Sequence, residues 1–422
     1  MKTYARYKNS GISWIGQIPE HWEVNYLFQK VGSHYISNKD IHHQNLLSLS
    51  YGRIIQKDIN KTEGLLPTSF DTYQVVENGN IVLRLTDLQN DHKSLRVGFV
   101  TQEGIVTSAY ECLCVINDAT FPKYLYYQLH SFDIKKMFYG MGGGLRQNLS
   151  YGELKKIRIA APPLPEQKAI ADFLDEKTAK INGLVTTKQK QIELLKEYKQ
   201  SLIAKAVTKG INPKAKMKDS GINWIGQIPA HWESSTLRKH LKFISDKGHS
   251  EEQLLSVTRE HGVIVRNTES KEENHNVIPT DLSDYKLVKK GQFAINKMKS
   301  WQGSYAVSSY TGIVSPAYYV CDLDFENKEF FSIAIRSKAY VPFFTMYSKG
   351  IRVDQWDLSP VGLKTIPFFI PPKEEQESIV SYLKEKTERI AIQISSIEKQ
   401  IENLNEYKQS LISDVVTGKV KV

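Results

Sequence analysis

The side chains that usually carry catalysis are scattered through this sequence without the spacing that catalysis requires. No GxxxxGK[ST] phosphate loop is present, so nothing cradles a triphosphate in the usual way. "GMGGGLR" from Gly140 looks like a nucleotide-binding glycine turn, but it lacks the third spaced glycine and the preceding strand pattern. The Asn/Asp-Pro-Pro-aromatic tetrapeptide of amino-methyltransferases is absent, and "APPL" and "IPPK" read as helix lead-ins. Neither a G-x-S-x-G elbow nor an H-E-x-x-H metal motif occurs. The Glu153–Lys155 triplet is of a kind that arises readily in Lys-rich helices. His21 and His231 have no nucleophile or acid signposted beside them and read as structural. Cys112, Cys114 and Cys321 lack a second Cys or His pair at ligand spacing, which predicts reduced buried thiols and no metal site. The expectation is a binding protein that has no active site of its own.

Bulk properties bound the partner. The 422 residues are long for one core and favour at least two domains. Hydrophobic residues make up 41% and charged residues 24%, as in globular proteins. No apolar run approaches the roughly 18–20 residues that cross a bilayer, and "MKTYARYKNSG" lacks a secretory apolar core. A cytoplasmic protein with no membrane partner is expected. The net charge of +10 favours a polyanion, because Lys and Arg gain affinity by releasing phosphate counterions.

The chain is written twice. "SGISWIGQIPEHWE" from Ser10 returns as "SGINWIGQIPAHWE" from Ser220, with twelve of fourteen positions identical. "PPLPEQKAIADFLDEKTAKI" from Pro162 answers "PPKEEQESIVSYLKEKTERI" from Pro371, and "EYKQSLI" recurs at Glu197 and Glu406. "GIVTSAY" from Gly104 answers "GIVSPAY" from Gly312. A repeat of about 210 residues is far longer than a solenoid unit, so it predicts two pseudo-symmetric domains.

Each half has three parts. The lead phrase, with Trp14 and Trp22 or Trp224 and Trp232 around Ile-Pro, suits a packed turn. A body of some 130 residues follows, with short strand-like runs and hairpin-like turns at Gly79 and Gly291. In the first body a helix is expected over "FPKYLYYQLHSFDIKKMF". "PPLPEQ" and "PPKEEQ" then open long helices of about 40 residues, roughly 60 Å. Leu383, Ile390, Ile397, Leu404 and Leu411 recur every seven residues in the second. In the first, Leu174, Ile181, Leu195 and Leu202 do so, with Lys188 breaking the stripe and Gly183 a soft spot. A seam of this kind predicts an antiparallel coiled coil between the two helices. The fold class is therefore α/β (α+β), with two β-rich bodies separated by a helix pair. The boundaries are 1–163 for the first body, 164–210 for the first helix and linker start, 211–372 for the linker end and second body, and 373–422 for the second helix.

With these pieces in order, twice, the chain resembles the specificity (S) subunits of type I DNA restriction–modification systems. The resemblance covers nearly the whole chain. It implies two target-recognition domains that each read half of a bipartite, asymmetric site in double-stranded DNA. It implies two modification (M) subunits supplying S-adenosylmethionine and adenine methylation, and two restriction (R) subunits supplying ATP- and Mg-dependent translocation and cleavage. No cofactor is then held by this chain. Two other readings would be the recognition module of a self-sufficient restriction–methylation enzyme, for which the catalytic motifs are missing, and a coiled-coil scaffold, which leaves two unlike polar bodies unexplained.

On that resemblance, candidate DNA contacts in the first body are Arg84, Asp87, Gln89, Asn90 and Lys93 of "RLTDLQNDHKSLR", with Arg146, Gln147 and Asn148 of "GGGLRQN". In the second body they are Asn296, Lys297, Lys299, Trp301 and Gln302 of "NKMKSWQGS", with Arg352, Asp354 and Gln355 of "KGIRVDQ". Arg, Gln and Asn can bridge two atoms on a base edge, whereas Lys suits phosphate.

Overall fold

The repeated lead phrase folds into a small clasp. In the computed structural model, which describes residues 2–60, 67, 69–91, 94–143, 147–267, 278–350 and 356–422, Tyr7–Asn9 pairs antiparallel with Gln17–Pro19. Met217–Asp219 pairs with Gln227–Pro229 in the same register. The chain divides into two units, residues 1–188 with 398–422 and residues 189–397.

In the first unit Trp22 is fully buried. The strand after it, Glu23–Tyr26, pairs with Arg158–Ala161, which leads directly into the long helix Leu164–Lys209. The clasp is thereby brought to the helix start. His21 Nε2 lies 2.9 Å from Glu166 Oε2, and the Tyr4 hydroxyl donates to the other carboxylate oxygen. Gln167 Nε2 donates to the Pro162 carbonyl at 2.8 Å. The second unit repeats this: His231 Nε2 to Glu375 Oε2 at 2.7 Å, and Gln376 Nε2 to the Pro371 carbonyl at 2.8 Å. There Trp232 Nε1 also donates to Glu375, at 3.1 Å. The "PP-x-x-EQ" pattern is therefore a structural lock. Its acid sits at the positive end of the helix dipole, its amide holds the backbone turn, and the two histidines have the structural role expected of them.

Each body is built on a four-stranded antiparallel sheet. In the first the order is Val31–Ser33, Glu111–Val115, Ile81–Leu83, Val97–Phe99. In the second it is Leu241–Ile244, Tyr318–Leu323, Phe293–Asn296, Tyr305–Val307. Gly79 and Gly291 take the left-handed conformation that a turn demands, with φ of 97° and 87°. The turns are not hairpins, however. Gln74–Val76 pairs with Gly104–Val106, while Ile81–Leu83 joins the larger sheet. Both strands are buried along their whole length, so neither has a solvent face to set against the other. The helix expected after the first sheet spans Pro122–Ile134. The two bodies fill the plan differently, with mainly aliphatic residues around Leu113 in the first and Phe330, Phe331, Phe344 and Phe368 in the second.

The long helices run Leu164–Lys209 and Lys373–Val416, 46 and 44 residues. Gly183 does not interrupt the first; Thr187 Oγ1 donates to its carbonyl within the continuous helix. The end of the second helix belongs to the first unit. Leu411, Ile412, Val415 and Val416 share one core with Ile18, Trp22, Tyr124, Leu174 and Ile181. Tyr124 Oη and Gln128 Nε2 donate to the Val416 carbonyl at 3.3 and 3.2 Å. Gly418 closes the helix with φ 74°, and a Cβ there would lie 2.3 Å from Pro19 Cδ. The helix stretches in this unit lie antiparallel, with Lys408 Nζ on Asn182 Oδ1 at 3.0 Å and Lys188 Nζ on Gln400 Oε1. Lys188, which breaks the apolar stripe in sequence, is met by a glutamine.

In the second unit the end of the first helix takes the matching place. Leu202, Ala206 and Val207 pack with Ile228, Trp232, Ile379 and Leu383. Ile390 is buried there. Leu195 and Ile397 are half-buried and line a shallow apolar groove with Leu194, Tyr198 and Ile392. Leu404, in the first unit, is half-buried against its core. Among the described residues no helix is long and apolar enough to cross a membrane.

Candidate nucleic-acid interface

In the first body the two candidate loops meet. Asp87 N donates to Asn148 Oδ1 at 3.0 Å, Leu88 N to the Gln147 carbonyl at 3.3 Å, and Leu149 N to the Leu85 carbonyl at 2.9 Å. Asn90 Nδ2 donates to Asp87 Oδ1 at 2.7 Å. Thr86, Asp87, Asn90 and Asn148 together line an open polar cleft of about 490 Å³. Asp87 and Gln147 adopt φ of 57° and 43°, a left-handed conformation that costs a non-glycine residue on the order of 1 kcal/mol. The surrounding hydrogen bonds hold them there. Arg84 is paired with Asp91 at 3.3 Å, and Gln89 is exposed.

Gln147 differs from its expected role. Its side-chain amide turns inward and donates to the Tyr139 and Met141 carbonyls at 2.8 and 3.1 Å. It shapes the loop rather than facing outward. Lys93 and Arg146 lie outside the described residues.

In the second body the candidates divide. Lys299 and Gln302 are exposed. Lys297 Nζ donates to Asp357 Oδ2 at 2.9 Å, and that hydrogen bond raises its pKa above the usual lysine value. Asn296 is not on the loop. It is the buried last residue of its strand, with Nδ2 on Tyr318 Oη at 3.1 Å. Trp301 is half-buried against Trp356, ring centroids 5.4 Å apart. Arg352, Asp354 and Gln355 lie outside the described residues.

Sequence reasoning missed the residue beneath the first loop. Arg96 is wholly buried, and its guanidinium faces the loop backbone from inside. It stands at the end of the stretch singled out for its polar residues, but its burial was not signalled by any periodicity. Beside it, Asp133 Oδ2 accepts from the Arg96 backbone N–H, and burial raises the Asp133 pKa to about 6.

One turn earlier on the same helix, burial lowers the His130 pKa to about 4, with Lys408 adding to the effect. A folded-state pKa below the unfolded value of about 6.5 gives stability that is complete above pH 6.5 and lost as the pH falls through 4. Asp133 works the other way, its contribution being present in acid and lost as the pH rises through 6. A His130→Phe variant keeps Asp133 and removes the imidazole. Compared with wild type, it should gain about 2 kcal/mol of relative stability between pH 6.5 and 4.5, read as a growing difference in Tm. A pH-independent difference would contradict this assignment.

Among the described residues no group of three or more His, Cys, Asp or Glu could hold a metal ion. What the first body offers instead is a preshaped set of donors and acceptors on a sheet edge, suited to reading a hydrogen-bonding surface.

Comparisons with known proteins give a family likeness for part of the chain. Residues 96–194, which include Arg96 and Asn148, match the family described as Type I restriction modification DNA specificity domain. The chain is similar to the specificity subunits of type I restriction–modification systems. It is 27% identical over 307 residues to the putative type I restriction enzyme MjaX specificity subunit of Methanocaldococcus jannaschii, covering 71% of this chain and 68% of that one. It is 30% identical over 174 residues to the MjaVIII specificity subunit of the same organism, covering 41% and 38%. A solved chain, from work on complex assembly and conformational transition of the type I R-M system, has a TM-score of 0.65 at 12% identity, covering 96% of this chain and 99% of that one. That likeness speaks to the mixed helix-and-strand fold.

Proposed function

We propose that this chain supplies the address of a type I restriction–modification complex. Each body reads one half of a bipartite, asymmetric site through base edges in the major groove. The helix pair forms an antiparallel coiled coil that fixes the gap between the halves, as protein geometry fixes half-site spacing in dimeric binders. Two M subunits bring S-adenosylmethionine and methylate adenine, and two R subunits bring ATP- and Mg-dependent cleavage, in the cytoplasm. The chain itself performs no catalysis.

The observation that carries this reading is that one strand order serves both bodies while the loops at the same sheet edge differ. Asp87, Asn90 and Asn148 converge in the first, and Lys297, Lys299 and Gln302 occupy the corresponding loop of the second. A shared scaffold with unlike polar loops suits two different half-sites.

A mobility-shift experiment tests it. The chain with its M subunits should bind one two-part duplex selectively and methylate it, while the chain alone should transfer no methyl groups. Methyl transfer by the chain alone, or binding indifferent to sequence, would overturn the proposal.

A further inference from the structure

A polar loop that must meet base edges pays for any disorder at the moment of binding. Fixing each residue's backbone costs conformational entropy, so a loose loop of several residues would lose much of the affinity its side chains provide at the right sequence. The first body's loop is long. It is closed by Arg84 N on the Arg96 carbonyl at 2.9 Å and encloses residues 85–95. The same closure in the second body, Asn296 N on the Ser304 carbonyl at 3.0 Å, encloses only residues 297–303. That shorter loop folds on itself through a 3-10 turn at Ser300–Gln302 and a bond from Ser300 Oγ to the Lys297 carbonyl at 3.1 Å.

The longer loop is held in another way. Arg96 Nη1 donates to the Arg84 and Thr86 carbonyls at 3.2 and 2.8 Å. Nη2 donates to the Asp87 and Asp91 carbonyls at 3.1 and 2.7 Å. Nε donates to Tyr139 Oη at 3.0 Å, and that hydroxyl donates to the Asp91 carbonyl at 3.0 Å. Every N–H of the guanidinium is used, and the side chain is fully buried. The position that answers Arg96 in the second body holds Ser304, which cannot do this.

We propose that Arg96 is the positioning residue for base recognition by the first body: its buried guanidinium clamps loop 84–91 from within, so that Asp87, Asn90 and Asn148 present a fixed pattern to one half-site. This rests on the reading that the first body binds DNA. The clamp moves the ordering cost from binding to folding, which is how preorganisation raises affinity and discrimination. Lysine is no substitute, since one ammonium has three donors on a point charge and cannot span four carbonyls and a hydroxyl.

The test uses the full chain in complex with its M subunits, as wild type, Arg96→Lys and Tyr139→Phe, selecting from a pool of random-sequence duplexes. For Arg96→Lys, preference at one half-site should fall about tenfold or more, the scale of a lost base-edge contact. Preference at the other half-site, affinity for non-selected duplex and its salt dependence should stay unchanged. Hydrogen exchange of the backbone amides in 84–91 should accelerate by a similar factor. Tyr139→Phe should weaken the same half-site to a lesser degree, and it decides the question if Arg96→Lys does not fold. Retained preference at both half-sites, or unchanged exchange in 84–91, would overturn the proposal. A wild-type chain that enriches no sequence would sink the DNA reading itself, while the exchange measurement would still judge the clamp.

Discussion

A fragment of residues 1–210 is expected to form a dimer. On its own it lacks Leu411, Ile412, Val415 and Val416, which complete the core around Trp22 and Leu174. Exposing that surface costs about 1.5–3 kcal/mol for each large apolar side chain left uncovered, which for four of them is comparable with a typical domain's whole margin. The fragment carries a replacement. Leu202, Ala206 and Val207 stand at the positions of Leu411, Val415 and Val416 in the repeat, and they already fill the equivalent place beside Trp232. A second copy can therefore insert its helix end where residues 411–416 belong, at the modest expense of Ala206 replacing Val415. Sedimentation should report twice the fragment mass, and the dimer should select a palindrome of the first half-site. A stable monomer that unfolds cooperatively would show that the C-terminal segment is dispensable to the first unit.

The second large effect concerns the gap. Inserting one heptad into each long helix, after Thr187 in the first and at the facing point near Gln400 in the second, keeps both apolar stripes in phase. Seven residues add about 10.5 Å of helix, close to three base pairs at about 3.4 Å each. The preferred site should keep both half-site sequences and widen its unread centre by about three base pairs. Changed half-sites with an unchanged gap would mean that the helices do not set the spacing.

Much of this organisation could be read in the sequence because the repeat compares the chain with itself. The lead phrase, the "PP-x-x-EQ" opening and the seven-residue stripe each recur; the first two are packed elements, and of the stripe Leu174, Ile181, Leu383, Ile390 and Leu411 are buried. The exchange of helix ends was not readable in the same way. Heptads reveal that a helix has a partner, but not that Leu411 completes the core around Trp22 while Leu202 serves Trp232.

At the candidate interface, composition located the loops and burial decided what they do. Asp87, Asn90 and Asn148 converge as polar turn residues can. Asn296 and Gln147 look identical to them in sequence, but spend their amides on Tyr318 and on loop carbonyls. Arg96 was missed for the opposite reason. A lone arginine beside "VGFV" reads as surface charge, and only the fold reveals four carbonyls waiting for it.

The most direct measurement is a map of methylated adenines in genomic DNA from cells carrying this chain and its M subunits, set against cells lacking only the chain. One motif in two unlike parts separated by a constant, unread gap is expected, and none of it without the chain. A single continuous motif, or the same pattern in both cells, would contradict it.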